Sequence, residues 1–162
     1  MKDFLSLEAE KTVELLKRRN KSVACAESCT GGMLSQYITS VSGASFVFEM
    51  GICAYSSRIK QRILGVKSQT LEQYGAVSRR TAAEMASRVR VLSGADIGVS
   101  ITGVAGPEPS EGKMPGTVYI ALADGKDIRV EKLTIEPDSR EAIRKTACSA
   151  VFAMICKCVE NA

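Results

Sequence analysis

The sequence predicts an α/β fold, a three-layer α/β/α sandwich on a mixed, mostly parallel sheet of about five strands. Three observations carry that expectation. Helical and strand-like hydrophobic patterns alternate along the chain. The short runs Ser22–Ala26 and Ile97–Ile101 are nearly free of polar residues, as strands covered on both faces are. Asp124-Gly125 lies between two β-rich segments and signals a hairpin, so an antiparallel excursion interrupts the parallel pattern.

The elements run in this order. Residues 7–19 repeat apolar positions at helical spacing, with Ser6 as N-cap and Asn20 as stop. Ser22–Ala26 is the first strand. Met33, Leu34, Tyr37, Ile38 and Val41 then define a helix that Gly43 closes. Phe46–Tyr55 is rich in β-formers, and Ser56–Leu64 reads as a short helix. Ser78 caps a longer helix with an inner face of Ala82, Met85, Ala86, Val89 and Leu92, ended by Gly94. After the strand Ile97–Ile101, residues 102–116 form a loop longer than usual connections, rich in Gly and Pro. Thr117–Ala123 and Ile128–Ile135 flank the hairpin turn. Asp138 with Glu141 suggests a capping box for a last helix to about residue 160. Its inner face is Ile143, Ala147, Ala150, Val151, Met154, Ile155 and Cys158.

Composition bounds the function. The 162 residues, 45% hydrophobic and 25% charged, suit a single domain over 1–162. A net charge of +4 without a basic tract, no Trp and 5% aromatics argue against a nucleic-acid partner. The polar start around Asp3, Glu8, Glu10 and Lys11 reads as neither a signal peptide nor an anchor. No apolar run nears the roughly 20 residues that span a bilayer. The expectation is a cytoplasmic protein without a membrane partner, its six cysteines reduced. Cys25, Cys53, Cys148, Cys156 and Cys158 lie in apolar runs and read as buried small hydrophobes. With no Cys-x-x-Cys pair and no histidine, no metal site is expected. A homo-oligomer is left open.

The segment Ala26-Glu27-Ser28-Cys29-Thr30-Gly31-Gly32 reads as a strand end turning into a helix. Such a turn presents hydroxyls and N–H groups at a positive helix terminus, suited to an anion, an oxyanion or a serine nucleophile. Capping of the next helix is the plain alternative for Ser28. Because the chain has no histidine, a base for Ser28 must be Lys, Tyr, a carboxylate or water. Tyr55 and Lys60 follow the second strand, and strand carboxyl ends share one edge in an α/β fold. A lysine with the reference pKa of about 10.4 is neutral only about once in a few thousand at pH 7, so a base there needs burial or nearby cations. Without these, Lys60 is a solvated surface residue. Cys29 is a rival nucleophile if the helix dipole activates its thiol. Thr102-Gly103 open a glycine-rich turn that either approaches an anion or is an ordinary loop. Arg140 and Arg144 near the start of the last helix oppose its dipole, by about 0.3–1 kcal/mol each. A bound phosphate or carboxylate, simple solvation, or pairing with Glu136 or Glu141 accounts for them.

Several strings stand together in order: AESCTGG at Ala26–Gly32, YSSRIK at Tyr55–Lys60, Leu64-Gly65-Val66, Gly75-Ala76-Val77-Ser78, Met85-Ala86, ITGVAGP at Ile101–Pro107 and Gly116-Thr117-Val118. With them the chain resembles the C-terminal domain of the CinA (competence/damage-inducible) family from about residue 5 to 160. It is similar to that family's stand-alone nicotinamide-mononucleotide amidases.

The resemblance implies hydrolysis of the carboxamide of nicotinamide mononucleotide to nicotinate mononucleotide and ammonia. It implies Ser28 as nucleophile, Lys60 as base and Tyr55 as a proton relay or positioning group. Thr102 and Gly103 match the family's turn beside the active site, and Arg144 and Arg140 its basic positions near the end of the domain. Together with Thr30, Gly31 and Gly32 of the nucleophile turn they are the expected substrate-binding residues, and no cofactor or metal is implied. The loop departs from the family pattern. The family runs Gly-Pro-x-Gly-Gly and then Lys-Pro-Val-Gly-Thr-Val, whereas here Gly106-Pro107-Glu108-Pro109-Ser110 leads to Lys113-Met114-Pro115-Gly116-Thr117-Val118. Glu108 places a negative charge where a phosphate would pass. Two alternatives remain: a non-catalytic nucleotide-binding relative, or an amidase for another small amide. The pyrophosphatase activity of the family's other domain is not carried over to these residues.

Overall fold

The computed structural model describes residues 3–136 and 138–161. The helices are α1 (Phe4–Arg18), α2 (Met33–Thr39), α3 (Ser57–Ile59), α4 (Ser68–Tyr74), α5 (Arg79–Ser93) and α6 (Arg140–Glu160). The strands are β1 (Val23–Glu27), β2 (Phe48–Cys53), β3 (Ile97–Gly103), β4 (Thr117–Ala123) and β5 (Ile128–Thr134). They form one open sheet in the order β2-β1-β3-β4-β5. The three-layer mixed sandwich is as the sequence predicts. Parallel pairing is less dominant than expected: β1 runs parallel to β2 and β3, while β3/β4 and β4/β5 are antiparallel.

The two faces are packed differently. Val23, Cys25, Val99, Ile101, Ile120 and Leu122 project into the large cluster under α1, α2 and α6. Ala24 and Ala26 of β1 and Ala121 and Ala123 of β4 face α5 instead, against Met85, Val89, Ala82 and Ala86. Small residues let α5 lie close to the sheet. At Gly98 a Cβ would stand 2.2 Å from the Ala86 carbonyl, so only glycine fits there. Central β1 is buried throughout, whereas the edge strands β2 and β5 are not. Arg129, Glu131 and Lys132 put charge on β5, which discourages edge-to-edge pairing.

Several local expectations are corrected. α1 begins three residues earlier than predicted because Asp3, not Ser6, is the cap; its carboxylate accepts the Ser6 N–H at 2.8 Å. At α6 the cap is Ser139, whose hydroxyl accepts the Ala142 N–H at 3.0 Å, and Asp138 lies outside. Leu92 on α5 is exposed, not part of the inner face. Sequence patterning does not predict helix α4; it presents only Thr70 as a buried side chain, too little for a periodic signal. Its anchor is tertiary, with Glu84 of α5 accepting the Lys67 N–H at 2.8 Å and the Thr70 hydroxyl at 2.6 Å. After α3 the chain widens into a π-helical turn over Lys60–Leu64. Such turns re-aim side chains and recur at functional sites. No helix among the described residues is long and apolar enough to cross a membrane.

Candidate active site

The carboxyl ends of β1, β2 and β3 share one edge of the sheet, and a cleft of about 350 Å³ opens there. Ser28, Tyr55, Lys60, Thr102, Gly103 and Arg140 all contribute to its wall, so the expected convergence takes place. The size is in the range of small-ligand pockets.

Ser28 follows β1 directly, its N–H donating to the Ile101 carbonyl of β3 at 3.0 Å. The chain then turns, closed by Gly31 N–H on the Ser28 carbonyl at 3.0 Å. Glu27 fixes the entry into α2. Its fully buried carboxylate accepts the N–H groups of Gly32 and Leu34 at 3.1 Å and of Ser35 at 2.9 Å, and the Ser35 hydroxyl at 2.7 Å. The amino end of α2 is therefore already occupied by an anion from within the chain. Gly32 has its N–H committed to Glu27 and Gly31 has its N–H committed to Ser28, so neither offers that group to a ligand. In the Ser28–Gly31 turn, the closing bond engages neither the Cys29 nor the Thr30 N–H, and the Cys29 N–H lies against its own thiol. Glu27 is not legible in the sequence, because a carboxylate at the end of β1, five residues before the helix cap, falls outside the usual capping spacings.

Lys60 is the largest surprise relative to its residue type. It is 1% exposed, not solvated. The π-helical turn points its side chain back under the β2 end. Nζ lies 2.9 Å from Ser28 Oγ and donates to the carbonyls of Ala54 at 2.8 Å and Tyr55 at 3.0 Å. Burial pushes its pKa down from 10.5 to about 8, against the opposing influence of Cys29 and Glu111. At pH 7 about one molecule in ten then carries a neutral amine beside Ser28.

Cys29 loses its claim as a rival nucleophile. Burial raises its thiol to about 11, beyond what nearby Lys60, Arg140 and Arg144 offset. The Tyr55 side chain is 60% exposed, and its hydroxyl accepts from Arg140 at 3.0 Å while Lys60 contacts its carbonyl. Thr102 is buried with its hydroxyl donated to the Ala76 carbonyl at 2.8 Å. Gly103 is demanded by packing: a Cβ there would meet Val118 Cγ2 at 2.7 Å and the Thr117 carbonyl at 2.9 Å. Since Val104 N–H bonds to Thr117 of β4, the alternation of a strand turns the Gly103 N–H toward the β1 side.

The two arginines separate. Arg140 stands in the cleft wall and also donates to the Gly106 carbonyl. Arg144 reaches the turn instead, donating to the Thr30 carbonyl at 2.6 Å. Among the described residues neither forms an ion pair with Glu136 or Glu141; Glu141 binds Lys145 at 2.7 Å and feels the Arg144 charge as a weaker influence. The Thr30 hydroxyl is buried without a hydrogen-bond partner. Cys53, expected in the core, is exposed on edge strand β2. The other residue missed from sequence is Glu111, which lies in the cleft wall. Among the described residues no group of three or more His, Cys, Asp or Glu side chains is placed to hold a metal ion.

Fold and site define an α/β protein with a buried serine–lysine pair at the carboxyl edge of a mixed sheet. The CinA C-terminal domain matches residues 6–159, and the chain belongs to that family. A competence-damage inducible protein of Thermoanaerobacter sp. (strain X514) is 46% identical over 143 residues, covering 88% of this chain and 35% of the relative. One from Bacillus subtilis (strain 168) is 43% identical over 146 residues, covering 90% and 35%. The chain thus spans about a third of the length of these curated relatives. Solved structures match over nearly their whole length. A CinA superfamily protein from Klebsiella pneumoniae has a TM-score of 0.95 at 27% identity, covering 99% of this chain and 100% of that one. A competence/damage-inducible protein from Agrobacterium tumefaciens has a TM-score of 0.92 at 30% identity, covering 99% of each.

Proposed function

We propose that the protein is an amidohydrolase that deamidates nicotinamide mononucleotide to nicotinate mononucleotide and ammonia. The observation that carries this reading is Lys60, buried, 2.9 Å from Ser28 Oγ and lowered to a pKa of about 8. A lysine so placed is a base in a chain that has no histidine.

In the proposed reaction the neutral Lys60 amine takes the Ser28 hydroxyl proton, and Oγ attacks the carboxamide carbon. The N–H groups of Cys29, Thr30 and Gly103 are the candidates to hold the oxyanion, each such donor being worth about 3–4 kcal/mol. The C–N bond breaks as the Lys60 ammonium returns its proton to the leaving nitrogen, which departs as ammonia. Lys60 then deprotonates a water that attacks the ester, and Ser28 leaves with that proton. Contact between Ser28 and Lys60 is direct, so the scheme does not need Tyr55 to relay the proton. Its hydroxyl serves instead to orient Arg140. Arg140, in the cleft wall, is the group assigned to the 5′-phosphate. Arg144 is assigned to the nucleophile turn.

Ammonia release from nicotinamide mononucleotide tests the reading. Wild-type protein is expected to release it, and Ser28→Ala and Lys60→Met are expected to lose at least about a thousandfold in kcat. Full activity in Ser28→Ala overturns the nucleophile, and retained activity in Lys60→Met overturns the base. Parallel assays on nicotinamide, glutamine and NAD separate an amidase of different specificity, and binding without turnover identifies a nucleotide-binding relative.

A further inference from the structure

The loop that departs from the family pattern folds into a defined device. Ser110 and Lys113 exchange both backbone hydrogen bonds, at 3.0 and 2.9 Å, and the two residues between them have positive φ, +51° at Glu111 and +68° at Gly112. That is a two-residue hairpin turn of type I′. Glycine suits its second position; glutamate at the first is unfavourable for a side chain and calls for a tertiary reason.

The reason is where the Glu111 carboxylate goes. Oε1 accepts the Ala76 N–H at 2.9 Å and Oε2 accepts the Val77 N–H at 3.0 Å. The preceding Gly75 leaves the space: a Cβ there would stand 2.4 Å from Glu111 Oε2. The segment so gripped is tied to the rest of the site. The Ala76 carbonyl accepts the Thr102 hydroxyl at the end of β3, and the Gly75 carbonyl accepts the hydroxyls of Thr81 and Ser78 at the start of α5. Ala76, Val77 and Glu111 all line the cleft that contains Ser28 and Lys60.

We propose that Glu111 is a positioning residue of the Ser28–Lys60 site: it docks the 110–113 hairpin on the 75–77 turn as the cleft's outer wall and sets a fixed negative charge opposite Lys60. The charged or titratable groups that act on Lys60 are Cys29, from the turn after β1, and Glu111; Tyr55 after β2, Glu108 of the 102–116 loop and Arg140 of α6 also line the cleft. Burial works to raise the Glu111 pKa. The Val77 and Ala76 N–H groups, with the Lys113 and Lys60 charges, outweigh it and hold the carboxyl below its ordinary value. With Cys29 an un-ionised thiol, Glu111 is the anion that keeps Lys60 from falling further. The proposal rests on the serine–lysine reading of the site and not on the identity of the amide.

Its test therefore avoids the amide. Ser28 is labelled with phenylmethanesulfonyl fluoride over a range of pH, followed by intact mass, while deuterium exchange is read at the Ala76 and Val77 amides. Wild-type labelling is expected to rise with a midpoint near the Lys60 value of about 8. Glu111→Gln keeps the shape and one acceptor but removes the charge; its midpoint is expected at lower pH, with labelling at pH 7 about twofold faster. Exchange at the two amides is expected to speed up about tenfold in Glu111→Ala, with Glu111→Gln between it and wild type. A purely structural role speeds exchange without moving the midpoint, and that result overturns the proposal. So does unchanged exchange. Wild-type Ser28 that labels no faster than in Lys60→Met overturns the serine–lysine reading and the proposal with it, whereas a normal wild-type midpoint unmoved in Glu111→Gln overturns the proposal alone.

Discussion

Arg144 donates to the carbonyl of Thr30 across 2.6 Å, tying the first turns of α6 to the loop that presents Ser28. A ligand cation and a structural clamp differ in what their loss does. Lys reaches the same carbonyl with a single donor, and Met keeps the packing without a donor. For the proposed amidase, Arg144→Met is expected to lower kcat about tenfold to a hundredfold by loosening the nucleophile, with KM for the mononucleotide little changed. Arg144→Lys is expected to recover part of the loss. Arg140→Met is expected to behave oppositely, raising KM for the phosphorylated substrate. Steady-state kinetics on the mononucleotide check both; a KM effect confined to Arg144→Met would reverse the assignments.

Glu27 gives the largest expected stability effect in the site. Its carboxylate is buried at 0% exposure and receives three N–H groups and one hydroxyl. Glu27→Ala leaves those donors without a partner in a site closed to water, and is expected to cost about 3–5 kcal/mol. Glu27→Gln retains one acceptor and is expected to cost about half of that. Urea unfolding monitored by circular dichroism measures the difference. A loss below about 1 kcal/mol in Glu27→Ala would mean that α2 is held by packing alone.

How far the sequence reaches is clearest at Ser28 and Lys60. The turn at Ser28 is legible because it is local: a strand, small polar residues and two glycines in succession. The absence of histidine then narrows the base by elimination. The burial of Lys60 is not legible, because it depends on a π-helical turn and on carbonyls of Ala54 and Tyr55, set by where β2 stops. Strand identity is readable throughout, since β1, β3 and β4 are apolar runs and Asp124-Gly125 marks the hairpin turn. Helix α4 is unreadable because its anchor, Glu84, lies on another element. Glu111 is hidden in the same way: its partners Ala76 and Val77 lie more than thirty residues upstream in the chain.

The cysteines are expected to react in an order opposite to their nearness to the site. Cys53 is exposed on an edge strand, whereas Cys29 is 6% exposed with its thiol raised to about 11. Iodoacetamide at pH 8 is expected to modify Cys53 first and to leave Cys29 intact in the folded protein. Peptide mapping after timed quenching reads the order. Early loss of Cys29 would show that its surroundings open in solution, and would restore it as a candidate nucleophile.

Lys60 makes folding stability depend on pH in a direction that can be worked out. Its folded pKa, about 8, lies below the 10.5 of an ordinary lysine. Between those values the unfolded chain binds more protons than the folded one, so stability rises with pH across that window. Below about pH 8 both states are protonated, and the folded state carries the whole cost of a buried ammonium, about 3 kcal/mol. Lys60→Met removes the titrating group while keeping an unbranched side chain. The wild type is therefore expected to gain stability relative to Lys60→Met as pH rises from 8 to 10.5, with a flat difference between pH 6 and 7.5. Other lysines and tyrosines titrate in both proteins and cancel in the comparison. Urea midpoints at matched pH give the difference directly, and a gap that stays constant up to pH 10.5 would show that Lys60 keeps an ordinary pKa and cannot serve as the base at neutral pH.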